Sequence, residues 1–192
     1  IYYVSICSKI KYYQKKKSLS ASEQDRDDIK QQRYEYRRWL DFVDINNLIY
    51  VDESGVNLGM TRFYGRGKVG ERVVMDCPRN KGKNTSILGA LSLDGLIASM
   101  TVIGSTDTKV FETYVEKILL PQLWQGAIVL MDNLSVHKGK RIKELISSVG
   151  AKLVFLPAYS PDLSPIELCW SKFKDFLRSR EPRTQEELDR TI

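Results

Sequence analysis

The 192-residue chain reads as an α/β protein, a mixed sheet with flanking helices preceded by a helical arm. Three features carry that reading. Two short apolar runs, Leu48-Ile49-Tyr50-Val51 and Ile128-Val129-Leu130-Met131, lead into Asp52 and Asp132, as buried strands do where they leave a core. Between them, Asp94-Gly95 separates two β-patterned runs, the strongest short hairpin signal in a sequence. From there on, apolar residues recur at helical spacing in stretches that alternate with strands.

The elements follow in order. Residues 1–44 are dense in charge, with a basic run at Lys15-Lys16-Lys17. Ser20 and Glu23 have capping-box spacing ahead of the helix-forming stretch Asp25 to Leu40, which predicts a helical arm. Leu48 to Glu53 is the first strand, and Ile87 to Leu93 pairs antiparallel with Leu96 to Ile103. Phe111, Tyr114, Val115, Ile118 and Leu119 mark a helix that Pro121 stops. A strand at Ala127 to Met131 precedes a helix marked by Ile142, Leu145, Ile146 and Val149 and closed by Gly150. Lys152 to Leu156 is a fifth strand, and Pro157 to Leu163 is a rigid loop. Ser164-Pro165 then opens a helix with Ser at the cap and Pro in the first helical position. Its apolar stripe is Ile166, Cys169, Trp170, Phe173 and Leu177. This order suits a ribonuclease H-like mixed sheet, with residues 45–192 as one domain.

Composition narrows the function classes. Hydrophobic residues at 42% and charged residues at 28% are ordinary for a globular protein, and no apolar run is long enough to span a bilayer. A soluble protein that is not exported is expected, with no membrane partner. Cys7, Cys77 and Cys169 are too few and too scattered for a disulfide framework or a zinc site. The net charge of +6 makes a polyanion a plausible partner without deciding the matter.

The chemistry rests on three acids. Asp52 and Asp132 follow strands, and residues 133–166, thirty-four of them, separate Asp132 from Glu167 at the start of the last helix. Carboxylates at the carboxyl edge of a sheet lie where α/β folds hold ligands, and hard divalent cations select such oxygen donors. Two such cations about 3.5–4 Å apart can activate an attacking oxygen and absorb charge on a leaving one. Each acid also has a structural reading: Asp after a strand is often a turn residue, and Ser164 with Glu167 has capping-box spacing. Spacing alone leaves both readings open.

Three blocks go further. Ile49-Tyr50-Val51-Asp52-Glu53-Ser54-Gly55, Met131-Asp132-Asn133-Leu134-Ser135-Val136-His137-Lys138 and Leu156-Pro157-Ala158-Tyr159-Ser160-Pro161-Asp162-Leu163-Ser164-Pro165-Ile166-Glu167-Leu168-Cys169-Trp170 closely resemble the catalytic blocks of Tc/mariner and bacterial insertion-sequence transposases. The resemblance implies a ribonuclease H-like fold in which Asp52, Asp132 and Glu167 are catalytic acids holding two Mg2+ or Mn2+ ions. It also implies DNA partners, namely transposon terminal inverted repeats and target DNA, and a homodimer in the active complex. Members cleave DNA at the element's ends and transfer the strand into a target. The chain is then expected to be a piece of a longer product whose arm leads from a DNA-binding region. Its location would be the nucleoid in a bacterium or the nucleus in a eukaryote. A nuclease that cuts without joining, and an inactive DNA-binding remnant, are the competing readings.

Candidate DNA contacts come from charge. Between Gly55 and Asn84, Arg62, Arg66, Lys68, Arg72, Arg79, Lys81 and Lys83 face only Glu71 and Asp76, a balance suited to phosphate contacts or to simple solvation. Lys174 and Arg178 lie seven and eleven residues after Glu167 and so share its side of the last helix. Glu53 should point away from Asp52, because strand side chains alternate. His137, the only histidine, is expected to serve as a cap or as a hydrogen-bonding support near the acids.

Overall fold

The computed structural model describes residues 21–192, so Ser20 and the lysine run lie outside the described residues. Helix α1 (Asp27–Leu40) precedes strands β1 (Leu48–Val56), β2 (Thr85–Ser92) and β3 (Gly95–Ile103). Helix α2 (Thr108–Tyr114), strand β4 (Ile128–Met131), helix α3 (Lys140–Ser148) and strand β5 (Lys152–Phe155) come next. Helices α4 (Ile166–Arg180) and α5 (Gln185–Thr191) close the described chain.

The five strands form one sheet in the order β3-β2-β1-β4-β5. The pairs β1–β2 and β2–β3 are antiparallel, whereas β1–β4 and β4–β5 are parallel. Strand alternation sends Ile49, Val51, Leu88, Val129 and Met131 to one face, where Phe111, Tyr114 and Leu119 after β3 and Ile142 and Ile146 of α3 bury them. Leu48, Tyr50, Ile87 and Leu130 face the other way, against Tyr36 of α1, Ile166, Trp170 and Leu177 of α4, and Leu188 of α5. Helices thus cover both faces, and the expected ribonuclease H-like mixed sheet is what forms. Each fully buried large apolar side chain contributes roughly 1.5–3 kcal/mol through removal from water.

Four details differ from the sequence expectations. Strand β1 does not end at Glu53: it runs to Val56 because β2 pairs with it from Tyr50↔Leu91 to Val56↔Thr85. The parallel partner stops earlier, at Tyr50↔Leu130, so beyond Tyr50 one side of β1 is free of β4. The hairpin turn is Leu93-Asp94, with Ser92 paired to Gly95, and Gly95 at φ +112 opens β3 in a conformation that other residues rarely adopt. Pro121 does not end the helical path at once. Helix α2 loosens into a π turn over Val115–Leu119 and tightens into a 3-10 turn over Leu120–Gln122 that accommodates the proline near its start. Finally, Pro165 has helical dihedrals and Ser164 is extended as expected, yet no side-chain capping hydrogen bond forms at the start of α4.

Candidate active site

The end of β1–β4 pairing creates the site. Past Tyr50↔Leu130 the two parallel strands part, and Asp52 on β1 and Asp132 just after β4 flank the gap. Side-chain alternation puts Asp52 on the Tyr50 face, toward α4, and Glu53 on the opposite face, as the sequence predicts. A cavity of about 480 Å³ is lined by Asp52, Asp132 and Glu167 together with the loop from Pro157 to Pro161. Three carboxylates from separate segments therefore share one concavity. The capping-box reading of Glu167 is not realised, because no side-chain cap forms there.

The three acids have different surroundings. Trp170 Nε1 donates to Asp52 Oδ2 at 3.1 Å. Burial is the main cause that pushes the Asp52 carboxyl up to about 6, the charges of Glu167 and Asp132 add to it, and the Glu53 backbone and the Trp170 N–H oppose it. At Asp132 burial also works against ionisation, yet the His137 ring, the Leu134 backbone N–H and the Lys138 charge together hold the carboxyl below its ordinary value. The Leu134 N–H donates to Asp132 Oδ1 at 3.1 Å. His137 is buried, and its Nδ1 lies 2.6 Å from the same oxygen. The geometry falls short of a formed hydrogen bond, so the contact is a close polar approach. Phe111 seats the ring from below, with 4.3 Å between ring centroids. Glu167 is exposed at the rim.

Hard oxygen donors around one cavity, with a carboxylate held up by burial and, to a smaller extent, by negative neighbours, suit a divalent cation that would favour its ionised form. Among the described residues no three acidic, histidine or cysteine side chains are gathered tightly enough to enclose an ion. The carboxylates form an open wall, so water or substrate would have to supply the remaining oxygens, the usual arrangement for Mg2+.

Several supporting residues escaped the sequence reading. Asn133 Nδ2 donates to the Leu156 carbonyl at 2.7 Å and ties the exit of β4 to that of β5. Arg33 of α1 grips the cavity loop, with 2.9 and 2.6 Å bonds to the two Asp162 oxygens and a 2.6 Å bond to Ser160 Oγ. Within that loop Tyr159 adopts φ +55, costly for a non-glycine residue, and lines the cavity half-exposed. The partners of Arg33 lie more than a hundred residues away in sequence, and no local pattern announces them. Gly89 did leave a signal, as a glycine inside a β-patterned run. It pairs with Asp52 across β1–β2, and a Cβ there would stand 2.6 Å from Cη2 of the Trp170 ring.

The basic residues divide. The segment between β1 and β2 has no regular secondary structure from residue 57 to 84, and Arg66 and Lys68 are exposed on it. Arg62 instead donates to the Ser179 carbonyl at 3.1 Å. Arg178 lies 4.3 Å above the Phe63 ring and 2.7 Å from Asp175, so it joins α4 to the base of the same segment. Lys174 and Arg178 line a second cavity with Gly55 to Asn57, Gly59, Met60 and Phe63, distinct from the one that holds Glu167. Among the described residues no helix is long and apolar enough to cross a membrane.

The comparisons agree with this architecture. The fold is similar to that of the Mos1 strand transfer complex, with a TM-score of 0.77 at 15% identity over 98% of this chain and 59% of that one. It is similar to the Mos1 mariner paired end complex with Mn, with a TM-score of 0.76 at 16% identity over 98% and 61%. The catalytic domain of Mos1 mariner transposase gives a TM-score of 0.62 at 15% identity over 91% and 82%. The chain thus spans about three fifths of the transposase chains in the two complexes. Among curated proteins none matched. Residues 47–189, most of the chain, match the family model described as DDE superfamily endonuclease, and the chain belongs to that family.

Proposed function

We propose that this chain carries the catalytic part of a Tc/mariner-type transposase, which cleaves DNA at transposon ends and transfers the freed strand into target DNA. The observation that carries the reading is the meeting of Asp52, Asp132 and Glu167 around one cavity in a DDE superfamily endonuclease. In this reading the three acids hold two Mg2+ or Mn2+ ions, and the similar Mos1 complexes solved with Mn and with Mg support that choice of metal. Such ions, when bound, activate the attacking oxygen and stabilise charge on the leaving one.

The chain's own residues prepare that chemistry. His137 and the Leu134 N–H keep Asp132 ionised, so a ligand is available without a proton having to leave. Asp52 is held back by burial and by its negative neighbours, and a cation would favour its ionised form. The Arg33 clamp fixes the loop that walls the cavity on the Tyr159 side. Arg66 and Lys68 are free to meet phosphates, while Arg62 and Arg178 brace the segment that bears them. The proposal includes a homodimer on DNA, with residues 1–44 as the arm from a DNA-binding region and 45–192 as the catalytic domain.

The test is a joining assay. A labelled oligonucleotide with a free 3′-hydroxyl is incubated with plasmid, protein and Mn2+, and the labelled plasmid is measured. Joined product that disappears on Asp132→Ala supports a transposase. Nicked plasmid without joined product would leave a nuclease that only cuts.

A further inference from the structure

We propose that Trp170 is a positioning residue for Asp52, its indole N–H holding one carboxylate oxygen so that the other is left to ligate a cation, with Gly89 as the seat that lets the ring lie there. The inference rests on the reading of Asp52 as a metal ligand. Trp170 Nε1 reaches Asp52 Oδ2 at 3.1 Å across 118 positions of sequence. An indole N–H donates only, so it can orient a carboxylate but cannot ligate a cation or take up a proton. A carboxylate on a short side chain is free to turn about its last torsion, and one fixed oxygen sets the plane of both.

The ring itself has little freedom. Trp170 is 3% exposed and packs edge-on to Phe173, with 6.4 Å between ring centroids. Its six-membered ring lies on Gly89, where an added Cβ would be 2.6 Å from Cη2 and 3.0 Å from Cζ2. Gly89 is the direct cross-strand partner of Asp52. The missing side chain on β2 is therefore what opens a slot beside the aspartate, and α4 fills that slot with a donor. Because α4 also carries Glu167, one rigid helix presents the third acid in its first turn and the donor for the first acid one turn later.

A buried indole merely seeking any acceptor is the rival account, and metal affinity separates the two. Mn2+ binding is measured by electron paramagnetic resonance at pH 8 for the wild-type chain, Asp52→Ala, Trp170→Phe, Gly89→Ala and a protein carrying 3-benzothienylalanine at position 170. That last residue keeps both rings and replaces the N–H by sulfur, so packing survives even where Trp170→Phe unfolds the chain. Loss of a hydrogen-bonding support costs about 10- to 100-fold in metal affinity in other sites, and that weakening is expected here with little change in thermal midpoint for the benzothienyl protein. Gly89→Ala should weaken binding as well, by displacing the ring. Unchanged Mn2+ affinity in the benzothienyl protein, with Asp52→Ala losing binding, overturns the positioning role and leaves the ligand reading standing. Wild-type binding by Asp52→Ala overturns both.

Discussion

The two faces of the sheet are built from the same strands and differ in kind. Under α2 and α3 the layer is almost wholly apolar, with Ile49, Leu88, Val129, Leu119, Ile142 and Ile146 fully buried. Toward α1, α4 and α5 the layer contains tyrosine and indole groups, and it is there that β1 carries Asp52. The first face holds the fold and the second exposes chemistry, and strand alternation assigns each residue of β1 to one or the other. A site of this kind needs the dry face for rigidity, because unmet charge on the second face is itself destabilising.

The largest effects should come from the dry face. Ile146→Ala removes a fully buried side chain and should cost about 2–5 kcal/mol in chemical denaturation, with Mn2+ affinity of the still-folded fraction unchanged. A loss of metal affinity instead would mean that the faces are not separable. Next comes Asp52. Its folded carboxyl titrates at about 6 against an ordinary value of 3.8, so between those values the native state binds more protons than the unfolded chain. Stability of the metal-free protein should therefore fall as pH rises from about 4 to about 6 and stay flat above. Asp52→Asn, which removes the charge, should stabilise the metal-free protein at pH 8 by up to about 3 kcal/mol. A destabilised Asn variant under those conditions would remove the distinction between a face that holds and a face that strains.

The smallest effects concern the basic residues beside the second face. Arg66→Gln with Lys68→Gln should lower the slope of log DNA affinity against log salt by about two, one for each phosphate contact. Lys174→Gln with Arg178→Gln should lower it by about one at most, since Arg178 is already engaged by Asp175 and Phe63. Equal slopes for wild type and both double variants would return these cations to ordinary solvated charges.

Much of this was legible in the sequence, for definable reasons. Periodicity and the proline and glycine signals place all five strands and α1 to α4, because those patterns are set within a few residues. Asp52, Asp132 and Glu167 were picked out by strand ends, spacing and the three blocks, and they do line one cavity. What escaped depends on distant pairing. The length of β1 past Glu53 is set by pairing with β2, beyond the long segment that separates the two strands, and Asp52 therefore sits within a strand rather than beyond one. Trp170 reads as one more residue of an apolar stripe until the fold puts it over Gly89. The Arg33–Asp162 clamp joins α1 to the cavity loop, which two distant charges in a sequence do not reveal.

The account turns on Asp52, Asp132 and Glu167 acting as one metal-dependent centre. The direct measurement is DNA cleavage by the chain, or by the longer protein that contains it, with Mg2+, with Mn2+ and with a chelator. It is repeated for Asp52→Ala, Asp132→Ala and Glu167→Ala after circular dichroism has shown each to be folded. The account predicts cleavage only with metal and its loss in every one of the three variants. Wild-type cutting by Asp132→Ala, or cutting undiminished in the chelator, would contradict it.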